Sequence, residues 1–416
     1  MEKYELIVVG GGFAGTAAAI AAAREGIRVL LIEKSNCLGG AATGCLVNPF
    51  MCYWTETEQG RLDLARGIFQ EICRRLERRN ALVRGQSFLE EELKYVLQEM
   101  VLESGAKLLL RADLFRVNRE EGRVVSLELA TRGGPLTLTA DCFIDATGDA
   151  QLAYLADCPT VLGRASDHLC QPMTLCFRVG NVDTERFYAS YNRLKAAHAK
   201  SLAAGELTNP RENILVFSFP AENVLHFNTT RVVKKNPTDP FDVTEAEILG
   251  RRQVHEIYDF MKKHADGLEN SFLMMTAAEI GVRESRRIEG DYTLTEADCK
   301  ACVRFEDAVV ACNYEIDIHN PEGTGTSLYY FNPGEYYTIP YRCLIPKGVN
   351  NLLTAGRCIS SDHAAQASYR VMPTVCCLGE AAGTAAALAI QIGSDTRQVN
   401  VKTLQSVLRA HGAFIG

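Results

Sequence analysis

The strongest constraint on this chain lies at its start, where a short apolar run, Glu5-Leu6-Ile7-Val8-Val9, meets Gly10-Gly11-Gly12-Phe13-Ala14-Gly15. An alanine-rich stretch from about Ala14 to Arg24 follows and stops at Gly26. A second apolar run, Val29 to Ile32, then ends on Glu33. Strand, glycine turn, helix, strand and acid follow in the order that a bound dinucleotide requires, with the carboxylate 23 residues beyond Gly10. Gly10 permits the tight turn, Gly12 lets a pyrophosphate approach the backbone, and Gly15 lets the helix pack closely on the strand. The N–H groups that open the helix, around Phe13 and Ala14, stabilise phosphate charge together with the helix dipole. Glu33 can accept two hydrogen bonds from a ribose diol, and it repels a 2′-phosphate. On this segment alone NAD and FAD are equal candidates.

Two later segments favour FAD. Glu33 is followed by Lys34 and then by Leu38-Gly39-Gly40-Ala41-Ala42-Thr43-Gly44, a small-residue loop along which an extended cofactor can pass. NAD has no need of such a loop, whereas the ribityl chain and flavin of FAD continue past the pyrophosphate. The second segment, Phe143-Ile144-Asp145-Ala146-Thr147-Gly148-Asp149, reads as a strand closing on a small-residue turn. Between the two lie a predicted helix (about Phe88 to Glu103), a strand (Lys107 to Arg111) and three strand-like runs, Leu114–Asn118, Val124–Ala130 and Leu136–Cys142. Near the other end, Asn351 to Gly356 is again a short apolar strand ending on glycine. Pro373 suits the first turn of a helix that runs to about Ile392.

Composition narrows the function classes. The formal charge of -7 provides no basic face for nucleic acid. No apolar run reaches the ~20 residues that span a bilayer, so no membrane partner is expected. The first residues lead straight into a strand pattern rather than a secretory signal, and the expected location is cytoplasmic. The 15 cysteines are then expected to be free, mostly buried thiols. Cys299 and Cys302 form the one C-x-x-C, with no second pair at metal-site spacing, so no metal is expected.

Further motifs extend the pattern: Glu33–Thr43, Asp145–Asp149, Gly281–Tyr292, Ile339–Pro346, Ala355–Ser360, Arg370–Thr374 and Gly379–Gly383. Over nearly its whole length the chain resembles the FAD-dependent oxidoreductases of the glutathione-reductase-like superfamily. The resemblance implies an α/β fold: a Rossmann-type FAD-binding domain made of residues 1–155 and 335–416, with an α+β substrate (cap) domain, 156–334, inserted between them. It implies that Gly356 and Arg357 approach the ribityl or pyrophosphate and that the backbone at Leu114 meets adenine. It also implies that the last long helix aims its start, Met372-Pro373, at the flavin pyrimidine ring. A positive helix end there stabilises the charge of a reduced flavin. Gly40 stands where fumarate-reductase-like enzymes with attached flavin carry histidine, so that linkage is not expected. Cys45 is the remaining attachment candidate, although packing explains it better.

The middle of the chain reads as strands at Phe177–Val179, Ile214–Phe217 and Val224–Asn228, and as helices at Val243–His264 and Leu273–Ile280. No second G-x-G-x-x-G occurs, so electrons are expected to arrive or leave through transient NAD(P)H docking, oxygen, a protein partner or a second substrate. Because flavin supplies the hydride chemistry, the protein must position substrate and handle protons. Arg283, Arg286, Arg287, Arg342 and Arg370 are candidates for gripping a substrate carboxylate; ion pairs with Glu284, Glu289 or Asp291 are the competing explanation. His363 and Tyr341 are candidates for the proton, and Tyr369 reads as a packed aromatic. Cys45 lacks a partner at disulfide-reductase spacing. The expected activity is hydride transfer between FAD and a carbon centre (CH–CH, CH–OH or CH–NH) of a small molecule. The alternatives are a flavin-binding electron-transfer subunit and a flavin monooxygenase.

Overall fold

The computed structural model describes residues 4–416. Its first sheet is parallel and five-stranded, in the order Leu352–Thr354, Cys142–Asp145, Leu6–Val9, Val29–Glu33, Lys107–Leu110. A strand from near the C-terminus therefore completes a sheet begun by the first residues. All but the edge strand Lys107–Leu110 are buried along their whole length because helices and a meander cover both faces, which explains their unbroken apolar runs. The register brings three glycine turns to one edge. Gly10 N–H donates to Ile32 at 2.8 Å, Ala146 N–H to Val9 at 2.8 Å, and Ala355 N–H to Asp145 at 2.9 Å. Open parallel sheets bind ligands outside this carboxyl edge.

One face of the sheet carries the opening helix, Phe13–Arg24, crossed by the closing helix, Met372–Ile392. The two backbones touch. A Cβ on Gly379 would run into the carbonyl of Ala14, and one on Gly383 into that of Ala18. The closing helix starts nine residues earlier than the apolar stretch at Ala381, with Pro373 in its first turn, and at 21 residues it is long and apolar enough to cross a bilayer. Almost all of it is core, since Met372 to Ala387 are buried without interruption.

The meander Asp113–Glu120, Arg123–Thr131, Gly134–Leu138 covers the other face. The expected third run, Leu136–Cys142, is divided: the antiparallel strand ends at Leu138, and Cys142 opens the parallel one. A second body has its own sheet, ordered Val216–Ser218, Val224–Phe227, Phe177–Gly180, Phe272–Thr276, beneath helices Thr184–Ala203 and Pro240–His264. Phe177, Phe187, Phe227, Val254 and Met261 form its core. The helix expected at Leu273–Ile280 is instead the edge strand Phe272–Thr276, which pairs with Phe177–Gly180. Leucine and methionine favour helix only weakly, and strand pairing outweighs them. This is a Rossmann-type α/β fold with an additional domain.

Candidate active site

The glycines at the carboxyl edge have different jobs. Gly10 has φ +102°, and its missing side chain would meet the Ala146 carbonyl; that of Gly15 would meet the Gly10 carbonyl. Close packing therefore accounts for both. Gly12 is different, because a Cβ there finds only the Gly40 Cα, at 4.0 Å. Gly40 (φ +52°) and Gly356 (φ +97°) adopt left-handed backbone beside it, and a Cβ on Gly356 would lie 3.3 Å from the Ala14 Cβ. Gly12, Ala14, Gly40 and Gly356 thus surround a slot walled by backbone, at the N-terminus of the opening helix.

The loop that follows is tied in place. Gly39 N–H donates to Gly11 at 2.8 Å, and the Thr43 hydroxyl donates to Leu38 at 2.8 Å. Glu33 accepts from the N–H of Gly11 at 2.5 Å and from that of Ser35 at 2.8 Å, which leaves a lone pair on each oxygen for a ribose. Lys34 pairs with Glu279 at 3.7 Å at the mouth. Leu114 is buried, and its carbonyl accepts from the Gln151 amide at 2.7 Å. In the second turn Asp145 accepts from the hydroxyl and N–H of Thr147, at 2.7 and 3.0 Å. Gly148 (φ +79°) lies directly under the Arg357 guanidinium, which is paired with Asp149 at 2.7 Å. Although burial opposes it, the charge of Arg357 holds the Asp149 carboxyl below its usual range. The Arg357 Nε is buried without a partner.

A cavity of about 600 Å³ lies between the two bodies, walled in part by Ala41 and Arg357, the residues that follow Gly40 and Gly356. Ala41, Val47, Met51, Arg357 and Met372 wall it on the sheet side. Arg211, Arg283, Asp317, His319 and Arg370 are on its other walls. Of the sequence candidates for substrate binding and proton transfer, Arg283 and Arg370 alone line it. Arg286 donates to the Asp149 carbonyl at 3.0 Å and lies over Tyr154. Arg287 pairs with Glu284, and Arg342 with Asp307 at 2.8 Å. The His363 ring bonds to Glu284 at 2.8 Å, so His363, Glu284 and Arg287 form one buried polar knot. Tyr341 is buried and donates to Thr396 at 2.8 Å. Tyr369 is packed, its hydroxyl 2.8 Å from that of Ser361. Burial pushes the Cys45 thiol up to about 12, and its Sγ faces the Ile280 carbonyl at 3.7 Å. A thiol so held is a poor nucleophile.

Arg211, Tyr314, Glu315, Asp317 and His319 were not anticipated. Asp317 and His319 alternate along the strand Ile316–His319, so both point to one side. That D-x-H alternation was legible; Arg211, a hundred residues earlier in a loop, carried no comparable signal. Glu315 lines the cavity, and burial followed by the neighbouring Asp317 raises its carboxyl above the usual range.

Comparison with known proteins bears on this geometry. The family model described as "FAD dependent oxidoreductase" matches residues 5–408. A digeranylgeranylglycerophospholipid reductase of Thermoplasma volcanium is 24% identical over 205 residues, 46% of this chain and 50% of that protein. The chain thus matches about half the length of that relative. A geranylgeranyl bacteriochlorophyll reductase-like protein of Thermoplasma acidophilum superposes with a TM-score of 0.51 at 14% identity, covering 99% of this chain and 84% of the other. That superposition reflects a shared fold.

Proposed function

The chain belongs to the family of FAD dependent oxidoreductases, and we propose that it moves a hydride between FAD and a carbon centre of a small molecule bound in the cavity described above. The observation that carries this reading is adjacency: Gly40, beside Gly12, is followed directly by Ala41, and Gly356, beside Ala14, directly by Arg357, and both Ala41 and Arg357 wall the cavity together with Met372 at the start of the closing helix. In this reading Glu33 and Lys34 border the ribose, while Gly10, Gly12, Phe13, Ala14 and Gly15 cradle the pyrophosphate. Gly39, Gly40, Ala41, Thr43 and Gly356 flank the extended middle of the cofactor, with Ala146, Thr147, Gly148, Asp149 and Arg357 beside it. Leu114 borders the adenine pocket. Bound FAD supplies the site that accepts or gives up the hydride. Met372 and Pro373 bring a positive helix end to that region, and the apolar side chains Val47 and Met51 exclude water.

Glu315 takes the proton-handling role in place of His363 and Tyr341, which lie outside the cavity. It faces the substrate space and holds its proton more tightly than an ordinary carboxyl. NAD(P)H or a protein completes the electron circuit. The test is anaerobic bleaching of the yellow protein near ~450 nm against a panel of alcohols, amines and saturated acids. One class is expected to bleach it, and Glu315→Gln to slow that bleaching roughly 100-fold or more while FAD stays bound. Reoxidation solely by a protein partner, with no metabolite bleaching the flavin, would replace this reading by the electron-transfer one.

A further inference from the structure

At the far end of the cavity Arg211, Arg283 and Arg370 outnumber the carboxylates free to balance them: Glu212 is paired with Arg231, Glu315 holds its proton more tightly than an ordinary carboxyl, and Asp317 remains. Arg211 is 4% exposed, and its guanidinium bonds to Asn213 at 3.2 Å and His319 at 3.3 Å. Arg283 donates to the Pro172 carbonyl at 2.7 Å, to the Thr174 hydroxyl, and to Asn228 at 3.4 Å, all neutral acceptors. Arg370 reaches Asp317 at 3.6 Å, and its Nε is buried without a partner. Among the described residues, Asp317 is the one carboxylate that forms an ion pair with any of these three guanidinium groups.

His319 adds no negative charge and is fixed in one form. Its Nδ1 lies 3.3 Å from Arg211, 3.1 Å from Arg231 and 3.2 Å from the Thr326 hydroxyl. A guanidinium can only donate, so Nδ1 holds the lone pair and the ring proton is on Nε2. That Nε2–H points at Asp317, 3.2 Å away, and occupies part of the one available carboxylate. Burial, and then the charge of Arg283, push the His319 pKa down to about 3, so the ring stays neutral. Arg231 nearby has its charge paired with Glu212 at 3.1 Å and donates to the carbonyls of Gly323 and Gly325, with its Nε buried without a partner. A buried charge without a partner costs several kcal/mol, and the way to recover it is an anion in the cavity.

We propose that Arg211, Arg283 and Arg370 form a carboxylate-binding subsite and that the substrate is an organic acid, its acid group at these arginines and its apolar body toward Val47, Met51, Phe217 and Met372. The inference rests on the cavity being the substrate site. The planar guanidinium fork matches a carboxylate and pairs with it more strongly than with any neutral group. Asp317, and the Nδ1 lone pair of His319, hold the mutually repelling arginines in place before the acid arrives.

The experiment uses the FAD-loaded protein, titrated with phenylacetate, phenylacetamide and phenyl phosphate, and reads the flavin spectrum and the heat of binding. Phenylacetate is expected to bind roughly tenfold or more tightly than its neutral amide, the difference that a charge-assisted pair provides. Arg211→Gln and Arg283→Gln are expected to abolish that preference, whereas Arg342→Gln, on the Asp307 pair outside the cavity, retains it. Equal binding of acid and amide, or binding of neither, would overturn the subsite. The acid and amide comparison on the unaltered protein decides this even if an arginine variant misfolds. Tighter binding of phenyl phosphate than of phenylacetate would overturn the carboxylate assignment within the anion class. Protein that holds FAD and is bleached by neutral substrates without acid preference would sink this inference alone; protein that fails to hold FAD would sink the proposed function first.

Discussion

Gly379→Val is expected to yield a colourless, poorly stable protein although residue 379 lies outside the cavity. Its Cβ would occupy the Ala14 carbonyl, in the first turn of the opening helix. A flexible side chain could move aside, but a helix backbone can give way only if the two helices separate. Overpacking a core typically costs about 1–3 kcal/mol, and a clash against backbone belongs at or beyond the top of that range. Separation also drags Ala14 and Gly15 away from the slot, so FAD retention and stability should fall together. Gly379→Ala should show a smaller loss of both. The check is FAD per chain after reconstitution, alongside the thermal midpoint; a yellow valine variant with an unchanged midpoint would refute the close helix crossing.

Arg357→Met should be the other severe variant. Asp149, a half-buried carboxylate, is then left with the Ser285 hydroxyl, 2.5 Å away, as its remaining hydrogen-bonded side-chain partner. Removing one member of a fully buried pair costs about 3–5 kcal/mol, mostly as the penalty on the charge left behind; with the Asp149 side chain 31% exposed, the loss here belongs below that range. The sign with pH is distinctive. In the unaltered protein Asp149 titrates below its ordinary range, so its contribution is present at neutral pH and is lost only as pH falls through that lowered pKa. In the variant the Arg357 charge no longer opposes burial, and the Ser285 hydroxyl and Lys34 alone hold the carboxyl down, so the Asp149 pKa rises from its lowered value. The deficit of the variant relative to the parent, whose Asp149 contribution is still intact at pH 5, should therefore not grow as pH drops from 8 toward 5, and adding Asp149→Asn should restore much of the loss at pH 8. Urea unfolding at both pH values tests this; a deficit that grows toward pH 5 would contradict it.

How much of this was legible depends on the range over which each feature is decided. The opening strand, turn, helix and strand are set by neighbouring residues, and Gly10, Gly15 and Glu33 are placed as their spacing implied. Pro373 likewise marked the start of the closing helix. Local preference failed where a distant strand intervened, as at Phe272–Thr276, which pairs with a strand about a hundred residues away. The arginines show the same limit at finer scale. Arg283, Arg286 and Arg287 sit within five residues yet face the cavity, Tyr154 and Glu284 respectively. His363 looked suited to proton transfer by residue type, but Glu284 and Arg287 hold it in a separate knot. Nothing local to His363 announces those partners.

The central claim is that the opening glycines and the start of the closing helix hold the two ends of one long cofactor. The most direct test is competitive reconstitution of apoprotein with FAD and with FMN, which carries the flavin but lacks the adenosine half. Glu33 and the Gly12 slot should then be decisive, with one FAD bound per chain and FMN bound roughly 100-fold or more weakly, since the helix-end and ribose interactions are lost together. Equal affinity for FMN, or uptake of neither flavin, would contradict the account.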